Sequence, residues 1–197
     1  MKILFINGSP RVGGNSDFLI QKLTEFCYEL GMESEEIKLR GLKIESCLAC
    51  ELCHEQNDSC PHKDDFVRVV FPKLREVEAV FLVSPVYQGG VTGAMKDFMD
   101  RCEMFRHGRL LHGKLCGGAA IGGYPGGGQE LTLMQIQYFA HICAMRYVAS
   151  WGKIRSHLGG HCIAFKKQEI LNDLDGIDAS RNVISEMAEL GKLIKKN

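Results

Sequence analysis

Short apolar runs alternate along most of this chain with longer segments whose apolar positions recur at helical spacing. Residues 3–6 are all apolar and predict a buried strand, and Phe18, Leu19, Leu23 and Phe26 lie on one face of a helix over 15–30 that Gly31 ends. The same pattern predicts strands at 33–39, 79–83, 115–121 and 147–151, and helices at 64–74, 92–102, 131–144 and 179–195. Five strands separated by helices indicate an α/β fold with a parallel, doubly wound sheet, whose ligands bind beyond the carboxyl ends of the strands.

Length and charge narrow the classes of protein further. With 197 residues, 45% of them hydrophobic, the chain is expected to form a single domain over 1–197, with a cysteine-rich loop at 46–62. Equal numbers of acidic and basic residues, 24 each, provide no field that attracts nucleic acid. The sequence shows neither an export-signal pattern nor a membrane-spanning apolar stretch, so we expect a cytoplasmic protein with no membrane partner. The stretch 151–178 is longer than a normal connection and predicts a lid or an oligomer arm.

The loop after the first strand has the composition of an anion site. Its glycines let the backbone approach a ligand closely, and Ser9, Arg11, Asn15 and Ser16 place donors at the start of a helix. Gly14 and Asn15 stand where a nucleoside-triphosphate loop requires lysine and a hydroxyl, and no G-x-G-x-x-G is present. A phosphomonoester therefore fits better than a pyrophosphate. The alternative is a turn in which Asn15 or Ser16 merely caps the helix.

Two further loops follow the third and fourth strands. The first carries Pro85, Val86, Tyr87 and Gly89, which offer backbone amides and an aromatic ring to a planar ligand. The second loop is rich in glycine, and its exposed amides would suit the electron-rich edge of a reduced ring. Its candidate residues are Gly122, Gly123 and Tyr124. An ordinary turn and a flexible lid are the alternatives for these two loops.

Four of the nine cysteines form a C-x2-C-x2-C-x6-C run: Cys47, Cys50, Cys53 and Cys60. An odd total without an export signal argues against a disulfide framework and favours metal ligands or redox groups. The run begins like the ligand set of a bacterial ferredoxin, and Pro61 follows its last cysteine, although the final gap is six residues rather than three. Zinc bound with His54 or His62, and free thiols, remain alternatives. The scattered cysteines, such as Cys27 and Cys143, are expected to pack in the core.

These motifs together resemble those of the NADPH-dependent FMN reductases of the flavodoxin-like superfamily. The matching segments are 8–11 with 14–16, 84–87 with Lys96, Phe98, Asp100 and Arg101, and 122–123, which together extend over nearly the whole chain. The resemblance implies a flavodoxin-like five-stranded sheet in the order 2-1-3-4-5 with helices on both faces. It also implies FMN, with its phosphate held by Ser9, Arg11, Asn15 and Ser16. By the same resemblance, Pro85, Val86 and Tyr87 would lie along the isoalloxazine, and Gly122 and Gly123 would meet its polar edge. From their own places in the loops, Gly89 is expected to allow close approach and Tyr124 to shield or gate the ring.

The cysteine loop resembles that of the iron-sulfur flavoproteins within this superfamily, which implies a 4Fe-4S cluster on Cys47, Cys50, Cys53 and Cys60. The expected function is that of an FMN-dependent oxidoreductase or electron-transfer flavoprotein. It would pass electrons between NAD(P)H or a ferredoxin-like donor and a small-molecule or protein acceptor. The alternative is a cluster-free NAD(P)H-dependent FMN or quinone reductase whose cysteine loop is structural or thiol-reactive. We nominate no catalytic side chain, because the cofactor carries the chemistry. The resemblance also implies a homodimer or homotetramer, with Arg101 and residues 105–112 at an interface.

Overall fold

The fold is built on a parallel sheet. The computed structural model describes residues 1–55, 60–151 and 156–194. Its strands are β1 (Lys2–Asn7), β2 (Glu33–Lys38), β3 (Ala79–Pro85), β4 (Leu115–Gly122), β5 (Arg146–Tyr147) and β6 (Gly160–Ile163). They run in the order β2-β1-β3-β4-β5, and β6 also pairs with β4. All of these pairs are parallel.

The fifth strand position is divided between two short strands. β5 pairs with Leu115 and Cys116 near the start of β4, and β6 pairs with Ala119 to Gly122 near its end. Since β3 occupies the other edge of β4, β5 and β6 follow one another along the same edge. The expected order 2-1-3-4-5 and the flavodoxin-like doubly wound class are thereby confirmed.

The expected strand at 147–151 was mostly wrong. Only Tyr147 of that range belongs to β5, and most of the edge is formed by the later β6, with sequence Gly-His-Cys-Ile. This stretch lacks the apolar pattern of a buried strand because the neighbouring elements leave little room for side chains. A Cβ on Gly160 would lie 2.1 Å from Ser180 Oγ and 2.8 Å from Ala119 Cβ. Because of this tight packing, glycine stands where a buried strand usually has an apolar side chain.

Helices follow each of the first four strands and the last one in sequence. They are α1 (Asn15–Glu29), α2 (Leu52–Glu55), α3 (Phe71–Glu76), α4 (Gly93–Arg101), α5 (Met104–Gly108), α6 (Gln129–Ile142) and α7 (Leu174–Ile194). A π-helical turn, Phe66–Val70, leads into α3, and a 3-10 turn, Glu169–Asn172, precedes α7. In the described parts of the chain, none of the helices has the length and apolar character needed to cross a membrane. Residue 195, the expected end of the last helix, lies outside the described residues.

Alternate residues of the central strands contribute to two apolar cores. Leu4, Ile6, Val80 and Leu82 pack on one face with side chains from α3, α4, α5 and α6. Ile3, Phe5, Phe81 and Val83 pack on the other face with α1 and α7. Both faces are covered, as the continuous apolar runs of a parallel sheet require. The strand ends at one edge of the sheet are left open to bind ligands.

The described part of residues 151–178 is not a lid or an arm, so that expectation was wrong. It contributes β6 to the sheet, the 3-10 turn and the first residues of α7. Cys162 and Ile170 are fully buried in the core on the α1 and α7 face. Residues 152–155 lie outside the described residues.

Candidate functional site

A cavity of about 460 Å³ lies at the carboxyl ends of β1, β3 and β4. Nine of the eleven residues predicted to bind a cofactor line it: Ser9, Arg11, Asn15, Ser16, Pro85, Val86, Tyr87, Gly123 and Tyr124. Ile121, Ala164 and Phe165 complete the wall. Gly89 and Gly122 are not among the lining residues. The three loops selected from the sequence therefore meet in one concave site at the switch point of the sheet.

The turn after β1 is held by a polar network around Asp17. Its carboxylate accepts hydrogen bonds from the Gly13 N–H (2.7 Å) and from Asn7 Nδ2 (2.7 Å), and it pairs with Arg40 at 2.9 Å. Asn7 Oδ1 in turn accepts from the Ser9 N–H. Burial alone would raise the pKa of Asp17, but the hydrogen bonds from Arg40, Asn7 and Gly13 outweigh it and hold the pKa below its ordinary value. An ionised Asp17 therefore fixes the shape of the turn.

The start of α1 faces the cavity without a side-chain cap. The N-cap residue is Gly14, so neither Asn15 nor Ser16 acts as the cap that the alternative interpretation required. Uncapped N–H groups at a helix N-terminus favour an anion. Ser9 and Ser16 are buried at this point, whereas Arg11 is exposed. The geometry of the turn is thus that of a small anion site.

Asn15 has a different set of contacts from the other polar residues of the turn. Its Nδ2 donates to the carbonyl oxygens of Lys166 (2.9 Å) and Ala164 (3.4 Å). Both amide hydrogens are therefore engaged within the chain. These bonds orient the segment that brings Ala164 and Phe165 to the cavity wall. The same segment places Lys167 Nζ near Gly13, 3.4 Å from where a Cβ would stand, which adds a second cation beside the turn.

The loop after β3 forms a tight reversal. Tyr87 and Gly90 exchange backbone hydrogen bonds of 2.9 and 3.1 Å, and the residues between them, Gln88 and Gly89, have positive φ values of 50° and 77°. This is a two-residue turn of the type that favours glycine at its second position. Thr92 then caps α4 and donates its hydroxyl to the Gly8 carbonyl at 2.8 Å. This hydrogen bond directly connects the loop after β3 with the turn after β1.

The glycine-rich loop after β4 is held by Gln129. This fully buried side chain donates from Nε2 to the Tyr124 carbonyl (2.8 Å) and to the Cys162 carbonyl (3.3 Å). Gly122 packs against it, since a Cβ there would lie 2.4 Å from Nε2. Gly128 packs instead on the neighbouring loop, since a Cβ added to Gly128 would lie 3.1 Å from Gly89 Cα. Gly122 and Gly89 therefore serve loop packing in this structure.

Sequence reasoning missed three residues of the cavity wall and the role of Gln129. Ala164 and Phe165 follow β6, the strand that the apolar pattern did not reveal. Phe165 lies 5.6 Å from Tyr124, ring centroid to ring centroid, and both rings are largely exposed at the mouth of the cavity. One general rule could have revealed these residues: the loops that follow parallel strands all lie at the same edge of the sheet. The rule could not be applied to Ala164 and Phe165, because the sequence pattern did not predict β6.

A second cavity, of about 380 Å³, is lined by all four cysteines of the run. Cys47 and Cys50 are exposed, and Cys53 and Cys60 are partly buried. Burial, followed by the negative charges of Cys60 and Glu103, raises the pKa of the Cys53 thiol. Residues 56–59, within the loop at 46–62, lie outside the described residues. In the described ranges, no three His, Cys, Asp or Glu side chains converge closely enough to hold a metal ion.

The same cavity contains a buried cation, Arg101 at the end of α4. Only 2% of this residue is exposed, and its guanidinium pairs with Asp64 at 2.5 Å. It also donates from Nη2 to Cys60 Sγ at 3.3 Å and from Nη1 to the Glu45 carbonyl at 2.8 Å. The expectation that Arg101 lies at a subunit interface was therefore wrong, because its side chain is enclosed within its own chain.

Two apolar residues of the stretch 105–112 belong to the core, whereas Arg106, Gly108, Arg109 and His112 are exposed. Phe105 and Leu111 are almost fully buried, and the Phe105 ring stacks on Phe71 with centroids 5.2 Å apart. These apolar residues are used within the chain, so the expectation that the segment forms an interface was wrong for them.

α4 connects the two cavities. The loop that lines the first cavity leads into its N-terminus at Thr92, and Arg101 at its other end lines the second. Nine helical residues span about 13 Å. Ser46 Oγ donates to Asp97 on the same helix at 2.7 Å, which fixes the start of the cysteine loop. One rigid element thus sets the spacing between the two sites.

Comparison with known sequences yields full-length relatives that are iron-sulfur flavoproteins. The chain is 37% identical over 196 residues to an iron-sulfur flavoprotein of Methanocaldococcus jannaschii, with 100% of both chains covered. It is 30% identical over 198 residues to an iron-sulfur flavoprotein of Methanosarcina thermophila, covering 100% of this chain and 98% of the relative.

A solved structure of similar fold and a family model are consistent with these sequence relatives. A crystal structure of RosB with a bound riboflavin-5'-phosphate derivative matches with a TM-score of 0.77 at 14% identity, over 100% of this chain and 81% of that one. At that identity the likeness concerns the fold. The family model described as NADPH-dependent FMN reductase matches residues 1–156. The chain therefore belongs to the NADPH-dependent FMN reductase family, a family of FMN-dependent oxidoreductases.

Proposed function

We propose that this protein binds FMN in the first cavity and a 4Fe-4S cluster on Cys47, Cys50, Cys53 and Cys60 in the second. It passes electrons between NAD(P)H or a ferredoxin-like donor and a small-molecule or protein acceptor. The observation that carries the proposal is that four cysteines, spaced like a ferredoxin run, line one cavity together with a buried cation. The names of the full-length relatives support it.

The first cavity fits FMN in its charge and its shape. An uncapped helix start, two buried hydroxyls and Arg11 suit the phosphate, and the loop 85–87 provides a wall for a flat ring system. FMN, when bound, supplies hydride and single-electron chemistry. Ser9, Arg11 and Ser16 bind the phosphate, Asn15 holds the adjoining wall, and Pro85, Val86 and Tyr87 orient the ring. Tyr124 and Phe165 lie where they limit water at the open face.

The second cavity fits a negatively charged cluster better than a single ion. Each cysteine of a four-iron cluster binds its own iron, so the sulfurs need not converge on one point as ligands of zinc do. His54 Nε2 lies 3.2 Å from Glu103 Oε1, so this ring nitrogen already has a partner within the chain. Arg101 Nε is buried without a hydrogen-bond partner among the described residues, and a buried unsatisfied donor favours an anionic occupant.

Metal analysis of anaerobically purified protein tests the cluster. We expect about four irons and four sulfides per chain, alongside one FMN. Cys50→Ser should lose the iron and keep the FMN. Cys143→Ala is the matched control, because this cysteine is buried at the end of α6 and should leave the iron unchanged. FMN without iron in the wild type would instead establish the cluster-free reductase, an alternative that the exposure of Cys47 and Cys50 as accessible thiols supports.

The electron donor is tested separately. The bound FMN is bleached anaerobically with NADPH, with NADH or with a reduced ferredoxin, and the initial rates are compared. Fast bleaching by a nicotinamide assigns a reductase, and fast bleaching by reduced ferredoxin alone assigns an electron carrier. If none of the three donors bleaches the flavin, the proposed direction of electron flow is wrong.

A further inference from the structure

Arg101 contacts both ends of the cysteine loop. Its Nη1 donates to the Glu45 carbonyl, two residues before Cys47, and its Nη2 donates to the sulfur of Cys60. Asp64, which holds the guanidinium, also accepts from the Glu45 N–H at 2.9 Å. One side chain therefore closes the loop that carries the four cysteines.

The guanidinium of Arg101 has partners on more than one side. A buried guanidinium needs a counter-charge, and Asp64 provides it on one side at 2.5 and 3.2 Å. On the other side Arg101 Nη2 donates to the sulfur of Cys60 at 3.3 Å, and Arg101 Nε has no acceptor in the described ranges. The Phe66 ring, whose centroid lies 5.0 Å from Arg101 Cζ, covers the guanidinium from a third direction. One donor of the guanidinium, Nη2, is thus directed at a sulfur of the cysteine cavity.

We propose that Arg101 is a positioning residue that fixes the Cys60 sulfur and stabilises the extra negative charge that one-electron reduction places on the iron and its thiolates. This inference rests on the proposed cluster. Hydrogen bonds to sulfur and nearby charge are two of the factors that set the reduction potential of an iron-sulfur centre. Arg101 therefore raises the reduction potential, and Asp64 lowers it by opposing that charge. The reduction takes one electron from the donor and requires no proton.

Opposite shifts in two variants distinguish this role from mere support of the loop. Arg101→Gln removes the positive charge, so the midpoint potential of the cluster should become more negative. Asp64→Asn removes the negative charge and leaves Arg101 in place, so the midpoint should become more positive. General damage to the loop would not shift the two potentials in opposite directions. Arg101→Lys keeps the charge but loses the two-pronged geometry, so its midpoint should stay closer to the wild-type value than that of Arg101→Gln.

The experiment is an anaerobic dithionite titration of the holoprotein, followed by the spectrum of the reduced cluster and by iron content. Arg75→Gln is the matched control, because Arg75 is an exposed cation on α3 that is not among the residues lining the cysteine cavity, and it should leave the midpoint unchanged. The FMN midpoint in the same titration is an internal reference, since α4 separates the two cavities. It should shift less than that of the cluster.

Three results would overturn the proposal in distinguishable ways. If the wild type contains iron and Arg101→Gln has the same cluster midpoint, the role of Arg101 is contradicted and the proposed function is not. If the wild type contains no iron, both the role of Arg101 and the proposed cluster are contradicted. If Arg101→Gln retains too little iron to titrate, the other two variants decide. A raised midpoint in Asp64→Asn together with retained iron in Arg101→Lys supports the proposal, and an unchanged or lowered midpoint in Asp64→Asn contradicts it.

Discussion

Asp17 shows how one carboxylate sets the geometry of a binding turn. It accepts hydrogen bonds from a backbone N–H, an amide and a guanidinium, so the turn is held before any ligand arrives. A phosphate brought to this turn meets Arg11 and the start of α1, while Arg40 offsets the charge of Asp17. The sequence contained no signal for this role, because the partners of Asp17 come from three separate segments.

The lowered pKa of Asp17 predicts a pH-dependent loss of stability. A carboxyl group whose pKa is lower in the folded state stabilises the fold above its unfolded pKa and loses that effect as the pH falls through the folded pKa. At about pH 7, Asp17→Asn should therefore reduce the free energy of unfolding by about 2 kcal/mol, the scale of hydrogen bonds to charged groups. The difference from the wild type should shrink below the ordinary pKa of 3.8. Urea unfolding at several pH values measures it.

Asp178→Asn is the control for that measurement. Its carboxylate is exposed and lies 4.0 Å from Arg181, so its effect should be small at every pH. A difference between Asp17→Asn and the wild type that stays constant down to acidic pH would contradict the role assigned to Asp17.

Cysteine reactivity should divide sharply between the loop and the core. Burial raises the pKa of Cys27 to about 12 and that of Cys143 to about 12, so their reactive thiolates are scarce. In folded, iron-free protein, iodoacetamide should modify the exposed Cys47 and Cys50 and leave the five cysteines outside the run unmodified. Iron loading should protect Cys47 and Cys50. Mass spectrometry of peptides checks this, and equal labelling of Cys27 and Cys47 would contradict it.

At the level of elements, the loops of the first cavity support one another. The glycine-rich loop packs on the turn after β3 through Gly128, where an added Cβ would lie 3.0 Å from Val86 Cγ1 and 3.1 Å from Gly89 Cα. Gly128 also has a φ of 99°, which side chains rarely adopt. The close approach of two backbones therefore shapes the wall that faces the ring.

Gly128→Ala should weaken FMN binding more than Gly126→Ala does. Gly126 has a φ of 67° and nothing within 4 Å of an added Cβ, so its substitution introduces backbone strain of about 1 kcal/mol without a clash. Gly128→Ala adds a collision with backbone and should displace the turn that carries Tyr87. Titration of the apoprotein with FMN compares the two dissociation constants. Equal effects would mean that loop contact does not shape the site.

The helical layer was easier to predict than the last sheet edge. α1, α4 and α6 carry apolar residues at helical spacing, and Gly31 adopts a φ of 68° just beyond α1. β6 has no such pattern, and its Gly160 is required by close contact with Ser180 of α7 and Ala119 of β4. The helical patterns depend on which residues of a single segment are buried. The composition of β6 depends instead on packing against segments that are distant in the sequence.

Over the described part of the molecule, α6 presents a row of exposed apolar side chains. Leu131, Met134, Tyr138 and Ile142 lie along one side of α6 and are all exposed. A row of apolar side chains on one helix is typical of an interface. We propose that this α6 face forms the homodimer or homotetramer contact, in place of the enclosed side chains of Arg101, Phe105 and Leu111.

Ile142→Glu should therefore shift the protein toward monomer. The side chain of Ile142 is 60% exposed in the chain, and a buried charge at a subunit contact is costly. Tyr28→Glu is the matched control, since Tyr28 is 85% exposed on α1, away from this face. Analytical ultracentrifugation gives the masses. An oligomer whose mass is the same in wild type and Ile142→Glu would show that the contact lies elsewhere.

The sequence by itself determined the doubly wound sheet, the three loops at its carboxyl edge and the grouping of four cysteines. These features depend on local periodicity and on short motifs, which a linear chain displays directly. Only the tertiary structure decided that the fifth strand is split, that Asn15 and Gln129 brace the cavity walls, and that Arg101 lies buried beside Cys60. These contacts join residues far apart in the chain, and their partners become known only when the elements have packed.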